Sequence, residues 1–121
     1  MGKISVMRVK WKIALGLYCV AVLYLSSLPA KELPDQTAMV PDKVLHMIEY
    51  ALMGILAWGA FGIGGGRFPW GLLVFCVCFG IGDECLQDWL DQARDPDVWD
   101  AAADAAGAFI GLLLSMVFWK R

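Results

Sequence analysis

The four cysteines, Cys19, Cys76, Cys78 and Cys85, form neither a C-x-x-C pair nor a spaced metal quartet. All sit in apolar runs, so a disulfide framework and a cysteine-built zinc site are excluded; small packing residues are what remain. No G-x-S-x-G segment occurs, which removes the nucleophile elbow of the α/β-hydrolases. Basic residues appear only in short clusters beside apolar runs, and the one strongly polar region is acidic, so nucleic acid is excluded as a partner. Acids are missing from residues 1–12, which carry Lys3, Arg8, Lys10 and Lys12. That one-sided charge bears on orientation below.

What the chain has instead is apolar bulk. Of its 121 residues 60% are apolar, and mean hydropathy is +0.61. Soluble domains need only about half, so the composition predicts a membrane protein. At about 20 residues per helical crossing, the length holds at most four crossings. Nothing remains for a separate soluble domain, and residues 1–121 read as one.

An uncharged run follows the basic start, and Trp11 and Pro29 extend it to nearly a full crossing. The segment S-S-L-P-A-K makes a poor signal-cleavage site, so residues 11–28 read as an uncleaved first helix. Pro29, Pro34 and Pro41 mark a loop. Asp42 suits a helix N-terminus, opening a second helix over residues 43–63 that a glycine cluster breaks before Arg67. Pro69 introduces a third helix over residues 70–89. Pro96 interrupts the polar connection to a fourth, residues 98–119. Most of the six tryptophans fall near predicted helix ends, as an aromatic belt requires.

Orientation follows from the cations. With the N-terminus cytoplasmic, the inner side holds Lys3, Arg8, Lys10, Lys12, Arg67, Lys120 and Arg121, against Lys31, Lys43 and Arg94 outside. The positive-inside rule therefore predicts an all-α, four-transmembrane-helix bundle with both termini cytoplasmic. Every acid falls on or leans toward the outer side. Three polar helix ends meet there.

Residues 80–107 organise the chain, holding eight of its twelve carboxylates: Asp83, Glu84, Asp88, Asp91, Asp95, Asp97, Asp100 and Asp104. Acids against bilayer-length apolar runs are costly unless they face water, a partner or a ligand. Lys43, His46 and Tyr50 share one helix face by their spacing; Asp83 stacks with Gln87, and Glu84 meets Gln87 and Asp88. Asp97, Asp100 and Asp104 line up on the fourth helix, and Gly107 and Gly111 continue the stripe as a small-x-x-x-small seam. Converging carboxylates split into an acid and a base, His46 can shuttle protons near neutral pH, and Arg94 can fork onto a phosphate or carboxylate. The same donors suit a divalent cation, with imidazole pointing to Zn or Mn. Asp88, Asp91, Asp95 and Asp97 read as a solvated rim, and Glu49 fits a pocket wall, a partner of Lys43 or a lumen-facing acid.

The segments D-K-V-L-H-M-I-E-Y-A-L-M-G, G-I-G-D-E-C-L-Q and R-x5-D-x3-D-x2-G-x3-G resemble the VanZ-like family of small bacterial membrane proteins. By this resemblance, Asp42, Lys43, His46, Tyr50, Asp83, Glu84, Gln87, Arg94, Asp100, Gly107 and Gly111 occupy signature positions. The family usually has Asn where this chain has Asp104, and its P-G-R turn is replaced here by D-Q-A-R. The resemblance implies a multi-pass place in the bacterial cytoplasmic membrane and a link to glycopeptide (teicoplanin) resistance.

Two functions are expected from these readings. One is an enzyme hydrolysing or transferring groups on a lipid-linked envelope molecule. His46, Asp83, Glu84, Asp100 and Asp104 would be its acid–base set, and Lys43, Tyr50, Gln87 and Arg94 would hold substrate. The other is a non-catalytic binder or carrier of a lipid or lipoglycopeptide. Expected partners are membrane lipids, a lipid-linked cell-wall intermediate or a glycopeptide antibiotic.

Overall fold

The computed structural model describes residues 2–27, 42–63, 65–90 and 98–119. They form four α-helices: α1 (Gly2–Ser27), α2 (Asp42–Phe61), α3 (Trp70–Leu90) and α4 (Val98–Phe118). Two of them, α2 from Lys43 to Phe61 and α4 throughout, are long and apolar enough to cross a membrane. The sequence places α2, α3 and α4 within two residues of their observed ends. Its prediction for α1 needs correction. That helix begins at Gly2 rather than near residue 11, because nothing in the basic segment breaks a helix and Lys, Arg and Met favour one. Arg8 then docks by donating from Nη2 to the Gly62 carbonyl at 2.8 Å. The turn after α2 is made by Gly65 and Gly66, both at positive φ, where a Cβ would be strained.

Pairwise contacts fix the topology. α2 is central and touches each of the other three helices. It runs parallel to α4, since Lys43 meets Asp100 near both N-termini while Trp58 meets Trp119 at the far end. α1 is antiparallel to α2: Arg8 reaches Gly62, and the Tyr18 hydroxyl donates to the Glu49 carbonyl at 2.6 Å. The core gathers Leu15 and Val22 of α1, Tyr50, Met53, Ala57 and Ala60 of α2, Cys76 of α3 and Ala108 of α4. Large apolar side chains such as Leu17, Val20, Val74 and Val117 stay exposed on the outside. A helix bundle apolar on both faces is the pattern of a lipid-exposed protein.

The tryptophans divide into two groups rather than one belt. Trp70, Trp89 and Trp99 are exposed at helix ends, but Trp58 is buried and donates Nε1–H to the Trp119 carbonyl at 3.0 Å. The Trp11 and Trp119 rings pack at 4.7 Å between centroids. This end is a closed aromatic plug. The polar chemistry is gathered at the other.

Candidate functional site

The site begins with two glycines. A Cβ on Gly107 would overlap the backbone of Met47, and one on Gly111 the backbone of Ala51. Without side chains there, α2 and α4 touch backbone to backbone, the small-residue packing that lipid-embedded helices use in place of a hydrophobic drive. Met47 and Ala51 are the partners sequence reasoning missed. They adjoin His46 and Tyr50, so the residues that close the seam also aim the polar face of α2 at α4.

One turn before the seam the polar groups meet. Lys43 Nζ lies 2.5 Å from Asp100 Oδ1, and His46 Nδ1 lies 2.7 Å from Asp104 Oδ1. His46 Nε2 stands 3.8 Å from Asp100 Oδ2, placing the imidazole between the two carboxylates. With Asp104 ionised, Nδ1–H donates to it and leaves Nε2 as the nitrogen open to other chemistry. Asp104 is only 1% exposed. A carboxylate that deep is stabilised by a charge-assisted hydrogen bond or carries a proton itself.

The third wall is α3. Asp83 is 2% exposed. Gly80 of the same helix is also buried, and a Cβ built on it would stand 3.1 Å from Asp104 Oδ2 and 3.4 Å from Tyr50 Cε2. Gly80 thus lets Asp104 and the Tyr50 ring press against α3. Sequence reading assigned it no role, although a glycine within a helix just ahead of paired acids is a visible signal. Glu84 lies within electrostatic range of Asp100, His46, Asp104 and Asp83. Both its carboxylate oxygens are buried, with no hydrogen-bond partner among the described residues. One donor atom each from His46, Glu84 and Asp104 lie within 4.8 Å of one another.

The structure therefore brings together Lys43, His46, Tyr50, Asp83, Glu84, Asp100 and Asp104 at one end of the bundle. The side chains of Asp42, Gln87 and Asp88, and residues Asp91, Arg94, Asp95 and Asp97, lie outside the described residues. Glu49 sits one turn deeper than His46 and is partly exposed, with its carbonyl engaged by Tyr18.

No known family profile matches this chain, and no solved structure does. An uncharacterized protein of fission yeast (Schizosaccharomyces pombe) is 29% identical over 99 residues, covering 81% of this chain and 57% of that protein. The chain spans little more than half the length of the curated relative it matches.

Proposed function

We propose that this chain is a four-pass membrane protein whose polar site performs acid–base chemistry, hydrolysis or group transfer, on the headgroup of a lipid-linked envelope molecule. The observation that carries this reading is the 2.7 Å pair between His46 and the nearly inaccessible Asp104. A carboxylate that orients an imidazole leaves the other ring nitrogen available to accept or deliver a proton. Glu84 is the general base of choice, because neither of its oxygens is engaged in a hydrogen bond among the described residues, whereas Asp100 is held by Lys43 and Asp104 by His46. In this scheme Glu84 takes a proton from water or an acceptor hydroxyl, and His46 supplies one to the departing group. Lys43, partly exposed at the mouth, offers positive charge to an anionic headgroup. Arg94 is the second anion-binding candidate, on its sequence position alone.

The four-pass topology, with both termini cytoplasmic and the site on the outer side, belongs to the same proposal. Its support is the seven-to-three cation asymmetry, and the lengths of α1 and α3, 26 and 21 residues. Kinship with the VanZ-like proteins and a link to glycopeptide resistance rest on the motifs in the sequence. The fission-yeast likeness speaks for neither, so the substrate class is best kept to lipid-linked headgroups.

The binder reading needs a lipid groove along the glycine seam. Gly107 and Gly111 are instead covered by the backbone of α2, which favours the acid–base reading. The deciding experiment places purified protein in lipid nanodiscs loaded with a total membrane-lipid extract and follows headgroup cleavage or transfer by mass spectrometry. Wild type should turn substrate over, while Glu84→Gln and His46→Gln should fold normally and be inactive. Full turnover in Glu84→Gln would sink the reading.

A further inference from the structure

We propose that His46, Glu84 and Asp104 hold one divalent transition-metal ion, Mn2+ or Zn2+, at the junction of α2, α3 and α4. The inference stands on these side chains and does not require the catalytic reading. One donor atom from each of the three lies within 4.8 Å of the other two. Donors bound at roughly 2.0–2.2 Å in a tetrahedral site stand about 3.3–3.6 Å apart, so small side-chain movements convert this set into a coordination shell. Glu84 is free to move, since neither of its buried oxygens has a hydrogen-bond partner among the described residues, and the ion takes the place of the proton between His46 Nδ1 and Asp104 Oδ1, a 2.7 Å pair that must open to admit it.

A further observation points to a ligand rather than a chance cluster of acids. Tyr50 is fully buried, one helical turn from His46, and its hydroxyl has no hydrogen-bond partner among the described residues. Its ring shares Gly80 with Asp104 Oδ2, and it lies within electrostatic range of Asp104, Asp83 and Glu84. A buried hydroxyl without a partner is costly, and a metal-bound water or carboxylate beside it would satisfy it.

One imidazole with two carboxylates suits Mn2+ or Zn2+ better than Mg2+ or Ca2+, which prefer all-oxygen shells. Three protein ligands leave a coordination position open, as in catalytic rather than structural sites. Binding at Nδ1 requires ionised carboxylates and a neutral His46 that carries its proton on Nε2.

The test uses the full chain in nanodiscs of zwitterionic lipid, stripped of metal and titrated with Mn2+ under electron paramagnetic resonance. The expected result is one Mn2+ per chain, with nitrogen modulation from a single imidazole in its pulsed spectrum. His46→Gln, Glu84→Gln and the nearly isosteric Asp104→Asn should each weaken binding on the order of tenfold or more. Glu49→Gln removes a carboxylate from α2 but none from the ligand set, and should leave affinity unchanged. Absence of binding by wild type, or bound Mn2+ without nitrogen coupling, would overturn the site. So would equal weakening by Glu49→Gln, which would mark diffuse attraction to acids. Because binding is read without turnover, an inactive protein that holds Mn2+ refutes only the catalytic reading.

Discussion

His46 Nδ1 stands 2.7 Å from Asp104 Oδ1, although 58 positions of chain separate the two residues. The pair exists because α2 and α4 run parallel in backbone contact, with the polar turn of each just above the glycine seam. Asp104 faces His46 of α2 through one oxygen and Gly80 of α3 through the other. Three helices thus meet at one carboxylate.

Asp104→Asn separates stability from activity. The amide keeps the shape and can still accept from His46, while the cost of a charge only 1% exposed disappears. Thermal stability in detergent should hold within about 1 kcal/mol. Headgroup turnover should be lost. A stability loss of several kcal/mol would mean that the charge itself holds the helices together.

Gly107→Ala should be severely destabilising. Its Cβ would overlap backbone atoms of Met47, which no rotamer change relieves, and the cost should be about 1–3 kcal/mol or more. Gly16→Ala is the matched control, since a Cβ there meets nothing. It should be neutral, or more stable by up to about 1 kcal/mol through helix propensity. Unfolding both variants in mixed micelles measures the contrast.

Lys43→Met removes an ion pair whose lysine side chain is 42% exposed. Such pairs contribute only about 0.2–1 kcal/mol, so melting should barely change. Loss of the charge should instead raise the substrate concentration needed for half-maximal turnover. A fall in stability with unchanged kinetics would make Lys43 a structural residue.

The proposed four-pass arrangement would place Trp99 and Arg67, both exposed, on opposite sides of the membrane. In a background lacking the four native cysteines, Trp99→Cys should react with an impermeant maleimide on intact cells. Arg67→Cys should react only after permeabilisation. Equal labelling of both on intact cells would contradict the topology.

Much of this was legible in residue order. An apolar chain of this length admits only a few helices, and Pro and Gly place their ends; that is why α2, α3 and α4 were readable to within two residues. The start of α1 was not, because a basic segment of good helix formers continues a helix without marking its edge. Acids are costly within long apolar helices and collect toward their ends, and this put Lys43, His46, Asp83, Glu84, Asp100 and Asp104 into one candidate set before any fold was known. Helical spacing also placed Gly107 and Gly111 on the same stripe as Asp104.

Partners were a different matter. Spacing says which side chains share a face, but rotation and depth between two helices depend on where their backbones touch. That contact is Gly107 on Met47 and Gly111 on Ala51. It decides that His46 takes Asp104 while Lys43 takes Asp100. It also fills the seam with the backbone of α2, leaving no groove there for the binder reading. Gly80 completes the site by letting Tyr50 and Asp104 close against α3. Residue order sorted the polar groups to one end because long apolar helix runs exclude charge; only the packed backbones determined which of those groups meet.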